Sequence, residues 1–294
     1  MHKKKRESNE WSVESKTTLL EFLFTVMPKK SRSTVKGILK RGQVTINGRP
    51  TTQFDEPLKK GDIVTVKDRA ASSDIKLKGI DIVYEDDDLM VIDKMHGLLT
   101  MGSKTEKKQT AFRMLMDYVK SMHENNRIFI VHRLDRDTSG LLIFAKSRMI
   151  QQKLQNTWTE TVDNRSYVAL VEGKVEKDGS ITSWLTEDKI YKMHSSPKPN
   201  KEGQKAVTHY KVTKSNRRFT LLEVKLETGR KNQIRVHMET IGHPIVGDKK
   251  YGASTNPINR LGLHASVLEF THPTTGKKLK FKSNAPKSFT RGFK

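Results

Sequence analysis

Five consecutive apolar residues, Leu141-Leu142-Ile143-Phe144-Ala145, follow directly on His132-Arg133-Leu134-Asp135-Arg136-Asp137-Thr138-Ser139-Gly140. The run has the length and composition of a buried strand, so the chain has to build a sheet around it. The tract ahead of it sets an acid, Asp135, between two arginines at the mouth of that strand. Arginine forks pair with carboxylates or phosphates. A lone acid framed by arginines is a poor core element and points to a reactive carboxylate working beside a polyanion.

Composition narrows the polyanion. With 294 residues and 34% apolar content the chain can bury a substantial core, and its length predicts two domains of unequal size. A formal net charge of +23 and a pI near 10.0 are lopsided for a small-molecule enzyme and favour nucleic acid over membrane as the acidic partner. No apolar run reaches the length of a bilayer span, and Met1-His2-Lys3-Lys4-Lys5-Arg6 leads into polar residues, not a signal-type apolar block. The expectation is a soluble, cytoplasmic protein that does not engage a membrane. Without cysteine there are no disulfides, thiol nucleophiles or thiolate metal sites.

A small basic module comes first. Ser31 or Ser33 is a plausible N-cap, Val35, Ile38 and Leu39 recur at helical spacing, and Gly42 fits the position just past the helix end. Arg32, Lys36 and Lys40 share one stripe of that helix with Arg41 beside it, a row of cations without interleaved acids. Val44-Thr45-Ile46 then leads into the hairpin signal Asn47-Gly48, and Gly61-Asp62 precedes an alternating strand from Ile63 to Val66. This segment, from about Ser31 to Val66, resembles the S4 RNA-binding domain, which implies that Arg32, Lys36, Lys40 and Arg41 contact RNA. The expected division is a basic tail over 1–10, an S4-like domain over 11–68, a linker over 69–79 and a catalytic domain over 80–294.

In the larger domain, Ile82-Val83-Tyr84 and Leu89 to Ile92 flank the acidic turn Glu85 to Asp88 and read as a hairpin. Phe112, Leu115, Met116, Val119 and Met122 fall on one helical face. Extended segments are expected at Ile128–Val131, Leu141–Ala145, Tyr167–Val171, Ala206–Val212, Phe219–Leu226, Leu263–Phe270 and Leu279–Phe281, with helices near Met149–Trp158 and Asn232–Ile241. Helices that interrupt the strands irregularly favour an α+β fold on a mixed, mainly antiparallel sheet over repeated βαβ units.

Several chemistries fall away. Asp135 and Asp137 alternate in an extended segment and face apart, unlike the facing carboxylates of a glycosidase. Asp137-Thr138-Ser139-Gly140 lacks the second copy that an aspartic protease needs. His237, His243, His264 and His272 occur without metal-ligand spacing, so no metal is expected. Glycines occur singly, which argues against a phosphate-cradling loop. One unpaired acid that can act as a nucleophile or base on a nucleotide remains.

The run HRLDRDTSGLLIFAKS, from His132 to Ser147, resembles the signature of the RluA/RluD-type RNA pseudouridine synthases. Further segments follow in that family's order: Tyr167 to Gly173, Leu226 to Arg230, Gln233 to Met238, Gly242 to Asp248, and Leu263-His264-Ala265 with His272-Pro273. The resemblance implies that Asp135 is the catalytic aspartate and that Tyr167 lies against the target uracil. It also implies that Arg230 is the basic residue paired with the aspartate, and that Arg133, with His132 beside it, meets the substrate as the target nucleotide flips out. It implies no cofactor. Two positions depart from the family pattern: Lys231-Asn232 stands where Thr-His is usual, and Arg165 where a lysine is common. The expected activity is isomerisation of uridine to pseudouridine in structured RNA by a monomer, with ribosomal RNA favoured and transfer RNA the alternative. Asp135 attacking the sugar, adding to the ring or removing a sugar proton are all open on residue types. The rival readings are a non-catalytic RNA-binding or ribosome-assembly factor and an RNA-cleaving enzyme.

Overall fold

The computed structural model describes residues 9–67, 77–102, 106, 108–122 and 124–293. The tail expected over 1–10 and the linker expected over 69–79 lie mostly outside them. Where they do overlap, Asn9 and Glu10 form a strand, and Gly79 accepts a hydrogen bond from the Met95 amide at 2.8 Å.

The N-terminal unit comprises strands β1 (Asn9–Ser12) and β2 (Thr17–Thr18), helices α1 (Leu19–Val26) and α2 (Arg32–Lys40), and strands β3 (Val44–Ile46), β4 (Arg49–Thr51), β5 (Pro57–Leu58) and β6 (Ile63–Val66). Ser31 caps α2, its side chain accepting the Thr34 amide at 3.2 Å. Asn47, in the left-handed region at φ 50°, makes the β3–β4 turn with Gly48. The four-stranded sheet runs β1-β6-β3-β4, and its own core takes Leu19 and Leu23 from α1 and Val35 and Leu39 from α2. The apolar spacing of α2 therefore buries one face and leaves Arg32, Lys36 and Lys40 exposed on the other.

The remaining elements are β7 (Ile80–Glu85), β8 (Leu89–Lys94), α3 (Ala111–Met122), β9 (Phe129–Ile130), β10 (Ser139–Ala145), α4 (Arg148–Asn156), α5 (Trp158–Thr161), β11 (Asn164–Glu172), β12 (Gly179–Glu187), β13 (Met193–Ser196), β14 (Gln204–Ser215), β15 (Phe219–Leu226), α6 (Gln233–Thr240), β16 (Leu263–Thr271) and β17 (Lys278–Lys282). They form the expected α+β arrangement. One large sheet runs β13-β12-β14-β15-β11-β16-β10-β8-β7, with β17 on β16 and β9 on β10. Strands β10 and β16 are parallel and the other neighbours antiparallel.

Every residue of β10 is buried, and the period of two divides it between two cores. Leu142 and Phe144 pack with Met90 and Ile92 under α3 and α6. Leu141 and Ile143 pack with Leu89 and Val91 under Ile150 and Leu154 of α4. A strand covered on both faces disfavours polar side chains, which is why Leu141–Ala145 reads as an unbroken apolar run. Three expectations change in extent: the strand at Ile128–Val131 contracts to β9, the helix at Met149–Trp158 divides into α4 and α5 at Thr157, and β12 and β13 add a hairpin.

The parallel contact of β10 with β16 positions the polar tract. Gly140 pairs with Ala265, and Ala265 pairs on its other side with Tyr167 of β11. At Gly140 φ is +114°, and a Cβ there would meet the Ala265 carbonyl oxygen at 2.2 Å, so only glycine permits this approach. The loop before β10 is thereby held at the same end of the sheet as the start of β11.

Candidate active site

The loop carrying Asp135 is fastened on both sides of it. Leu134 is buried, its amide donating to Thr100 Oγ1 at 3.2 Å while the Thr100 hydroxyl donates to the Leu134 carbonyl at 2.7 Å. On the far side, Lys94 Nζ donates to the Arg136 carbonyl at 3.0 Å, and also to Leu98 at 2.8 Å and Met95 at 3.0 Å. Lys94 has no exposed surface, and burial, opposed by Asp137 and Asp135, pushes it down to about 7. Its three carbonyl acceptors match the three donors of an ammonium.

Asp135 remains partly open, its side chain 24% exposed. Arg235, from the first turn of α6, brings Nη1 to 3.3 Å from Asp135 Oδ2. The same guanidinium is fixed by Asp248, with Nε donating to Oδ2 at 2.6 Å and Nη2 to Oδ1 at 2.8 Å, and it lies over the Tyr251 ring at 4.9 Å. Burial would lower the Arg235 pKa, but the hydrogen bonds and charge of Asp248, with those of Asp135, outweigh it and raise the value. A bidentate carboxylate thus presets the fork that meets Asp135.

Asn232 closes the other side. The Tyr251 hydroxyl already accepts the Met193 amide at 3.1 Å, so its own proton is free to donate. Only one amide orientation at Asn232 uses that proton: Oδ1 accepts from Tyr251 at 2.9 Å, and Nδ2 donates to the two oxygens of Asp135 at 2.7 and 3.1 Å. The reverse orientation would turn an amide oxygen on a carboxylate. Asn232 sits in the left-handed region, at φ 52°, which asparagine adopts more readily than other residues bearing a Cβ.

Tyr167 is buried on β11, and burial raises its pKa, Arg165 opposing and Asp135 reinforcing the effect. It lines, with Asp135, Arg235, Asn232 and Leu263, a cleft of about 180 Å³. Arg133 is exposed on the cleft wall, where its Nη1 lies 3.9 Å from Met101 Sδ. Among the described residues no group of three or more His, Cys, Asp or Glu is placed to hold a metal ion. No helix there is long and apolar enough to cross a membrane.

Residues 88–240 match the family model for RNA pseudouridylate synthase. The chain belongs to the RluA/RluD-type RNA pseudouridine synthases. It is 37% identical, over 90% of its length and 89% of the relative's, to an uncharacterized RNA pseudouridine synthase, YlyB, of Bacillus subtilis. It is 34% identical to ribosomal large subunit pseudouridine synthase D of Vibrio cholerae, over 87% of this chain and 84% of that one. Among solved structures, human RNA pseudouridylate synthase domain containing 4 shares the fold, with a TM-score of 0.58 at 24% identity over 71% of this chain and 90% of that one.

One site assignment in this synthase needs correction. Arg230 borders the cleft, but its Nε donates to the Lys205 carbonyl at 3.2 Å and the cation on Asp135 is Arg235. The reason lies in the turn before α6. Gln233 Oε1 accepts the Arg230 amide at 3.0 Å and the Thr228 hydroxyl at 2.8 Å, while Gln233 Nε2 donates to Val207 and Thr208. That anchoring holds Arg230 in the turn and sets Arg235 on the helix facing Asp135. His132 stays out of this cleft. Its Nε2 accepts the Ile143 amide at 3.2 Å and its ring lies 4.9 Å from that of Trp158. Burial, assisted by the Arg165 charge, pushes it down to about 3, so it is a neutral acceptor bracing β10. It lines an adjacent hollow with Trp158 and Arg165.

In the N-terminal unit Arg41 is engaged within the chain, pairing with Asp87 of the β7–β8 turn at 3.0 Å and donating to Gln43 at 2.8 Å. It therefore differs from the exposed Lys36 and Lys40. His237 is buried between the hydroxyls of Ser183 and Thr208, and His264 lies against Ser139. Both brace the sheet.

Proposed function

We propose that the synthase converts uridine to pseudouridine in ribosomal RNA, with Asp135 as the reacting carboxylate and with the target base flipped out of its helix. The observation that carries this reading is the Asp135 carboxylate itself. It is held by Arg235 and Asn232, and it opens into a cleft walled by Tyr167. In the reaction the N1–C1′ bond breaks, the uracil turns, C5 bonds to C1′, and the proton lost from C5 is balanced by one gained at N1. Tyr167 offers a ring for the extruded base. Arg133, exposed at the rim, is suited to fill the gap in the stack, and flipping costs a few kcal/mol that such contacts offset.

Ribosomal RNA is favoured because several relatives 32–34% identical are named ribosomal large subunit pseudouridine synthase D. The exposed row Arg32, Lys36 and Lys40 supports an S4-like role for the N-terminal unit in gripping the phosphate backbone. One chain carries both the basic row and the cleft, which favours action as a monomer, and a ribosomal RNA substrate fits the cytoplasm. Asp135→Asn tests the assignment. Tritium release from C5-labelled uridine in RNA should be abolished while RNA binding is kept. Turnover by the variant would defeat it.

A further inference from the structure

The hairpin between β12 and β13 ends in a tip with no role in the cleft chemistry described so far. The Asp188 amide donates to the Lys192 carbonyl at 2.9 Å, and the Tyr191 amide to the Asp188 carbonyl at 3.0 Å. Three residues, Lys189, Ile190 and Tyr191, thus close the turn, with Tyr191 at φ 61°. In three-residue hairpins that last position is left-handed and suits glycine. A tyrosine there is strained, and the strain does nothing for the turn.

The neighbourhood holds the strained residue firmly. The Asp188 carboxylate accepts the amides of Ile190 at 2.9 Å and Lys192 at 2.8 Å and lies 2.7 Å from His194 Nε2. Lys250 Nζ donates to the Tyr191 carbonyl at 2.7 Å. The side chains themselves point to solvent: Ile190 is 78% exposed, the most of any large apolar residue described, and Tyr191 61%. A cation lies over the ring. Lys231, which lines the Asp135 cleft, brings Nζ to 5.4 Å from the Tyr191 centroid, and Lys189 and Lys250 are exposed beside it. The nearby acids are occupied, Glu187 by Lys231 and Asp188 by the turn and His194.

We propose that this tip is a second base-binding site, where Tyr191 stacks on an unpaired base of the RNA flanking the uridine that enters the cleft. An exposed ring beside exposed lysines suits a nucleic acid strand, whose bases stack while its phosphates meet the lysines. Two apolar side chains make too small a patch for the core of a protein interface. The tip adjoins the cleft through Lys231, so the base it takes lies near the target, and Ile190 packs against the edge of the same base. The site rests on the reading of RNA uridine as the substrate.

Tyr191→Gly tests it with little risk to the fold, because glycine suits the left-handed turn and should leave Tm unchanged or raised. The probe is a single-stranded, uridine-rich oligoribonucleotide carrying fluorescent aminopurine. Wild-type protein should quench it on binding. Tyr191→Gly should lose the quench and bind roughly five- to 150-fold more weakly, the range of one base–aromatic stack. KM for ribosomal RNA should rise with kcat held, and Tyr191→Trp should restore both affinity and quench. Tyr191→Asn, which also tolerates the turn, should reproduce the glycine result. Unchanged binding by both variants of a protein that still isomerises uridine would overturn the second site alone. A wild type unable to isomerise uridine would overturn the reading beneath it as well.

Discussion

The Asn232 side chain ties the Asp135 carboxylate to the buried Tyr251, and substitution there separates backbone strain from the proposed chemistry. Asn232→Gly keeps the left-handed backbone without penalty and removes both the amide bond to Asp135 at 2.7 Å and the acceptor of the Tyr251 proton at 2.9 Å. A hydrogen bond to a charged group is worth about 1.5–3 kcal/mol. If the bond orients Asp135 throughout the reaction, kcat falls by about ten- to 150-fold. Stability should fall by about 1–3 kcal/mol, because Tyr251 has no exposed surface and its proton loses its acceptor. Asn232→Ala should match the glycine variant in kcat but lose about 1 kcal/mol more stability, because alanine resists φ 52°.

Tritium release under single-turnover conditions reads the chemical step, and urea unfolding reads the stability. Tyr251→Phe closes a double-mutant cycle. Because phenylalanine keeps the ring under Arg235 and removes only the hydroxyl, which reaches Asp135 through Asn232, its effect on kcat should shrink once Asn232 is glycine. Asn232→His, the residue usual in the family, should recover part of the rate. An Asn232→Gly enzyme with the wild-type kcat would refute the argument, and so would additive effects in the cycle.

Arg133→Ala should lose uridine conversion together with base extrusion, read as the fluorescence of an analogue at the target position; extrusion at the wild-type level would count against Arg133 as the inserted residue. Lys36→Ala and Lys40→Ala should weaken binding across RNA sequences and flatten its salt dependence by about one unit of slope per lost phosphate contact; an unchanged slope would remove α2 from the interface. Lys94 carries a pH signature. Its folded value of about 7 lies below the ordinary 10.5, so between them the unfolded chain binds more protons and unfolding free energy rises with pH. Urea titrations should show that rise between pH of about 7 and 10, and Lys94→Met should lack it.

Much of the fold was legible because burial wrote it into residue type. The helix capped by Ser31, the Asn47-Gly48 turn and the unbroken Leu141–Ala145 run each follow from local constraints. The β12–β13 hairpin escaped because β12, Gly179–Glu187, mixes Ser180, Thr182, Ser183 and Thr186 with Ile181, Trp184 and Leu185 and shows no clean apolar alternation. Ser183 faces inward there to bond His237 at 2.9 Å, and an inward serine looks like any solvated one. Asp135 stood out by chemistry, an acid between arginines before a buried strand.

The cation beside Asp135 was harder to find because its position depends on a partner distant in sequence. Arg230 and Arg235 flank the start of the same helix, and spacing alone does not rank them. One signal was available: Arg235 interrupts Ile234, Val236, His237 and Met238, all buried, so a charge at that point needs a partner inside. Asp248 meets that need with two short bonds and turns the remaining guanidinium nitrogen toward Asp135. Two carboxylates then share one guanidinium, which leaves a negative charge at the cleft floor. Asn232 moderates it by donation, and Lys94 moderates it from behind the loop by charge. Both act from buried or strained positions that glutamine, methionine or alanine would not reproduce, so the electrostatics of Asp135 depend on the side chains behind and beside it.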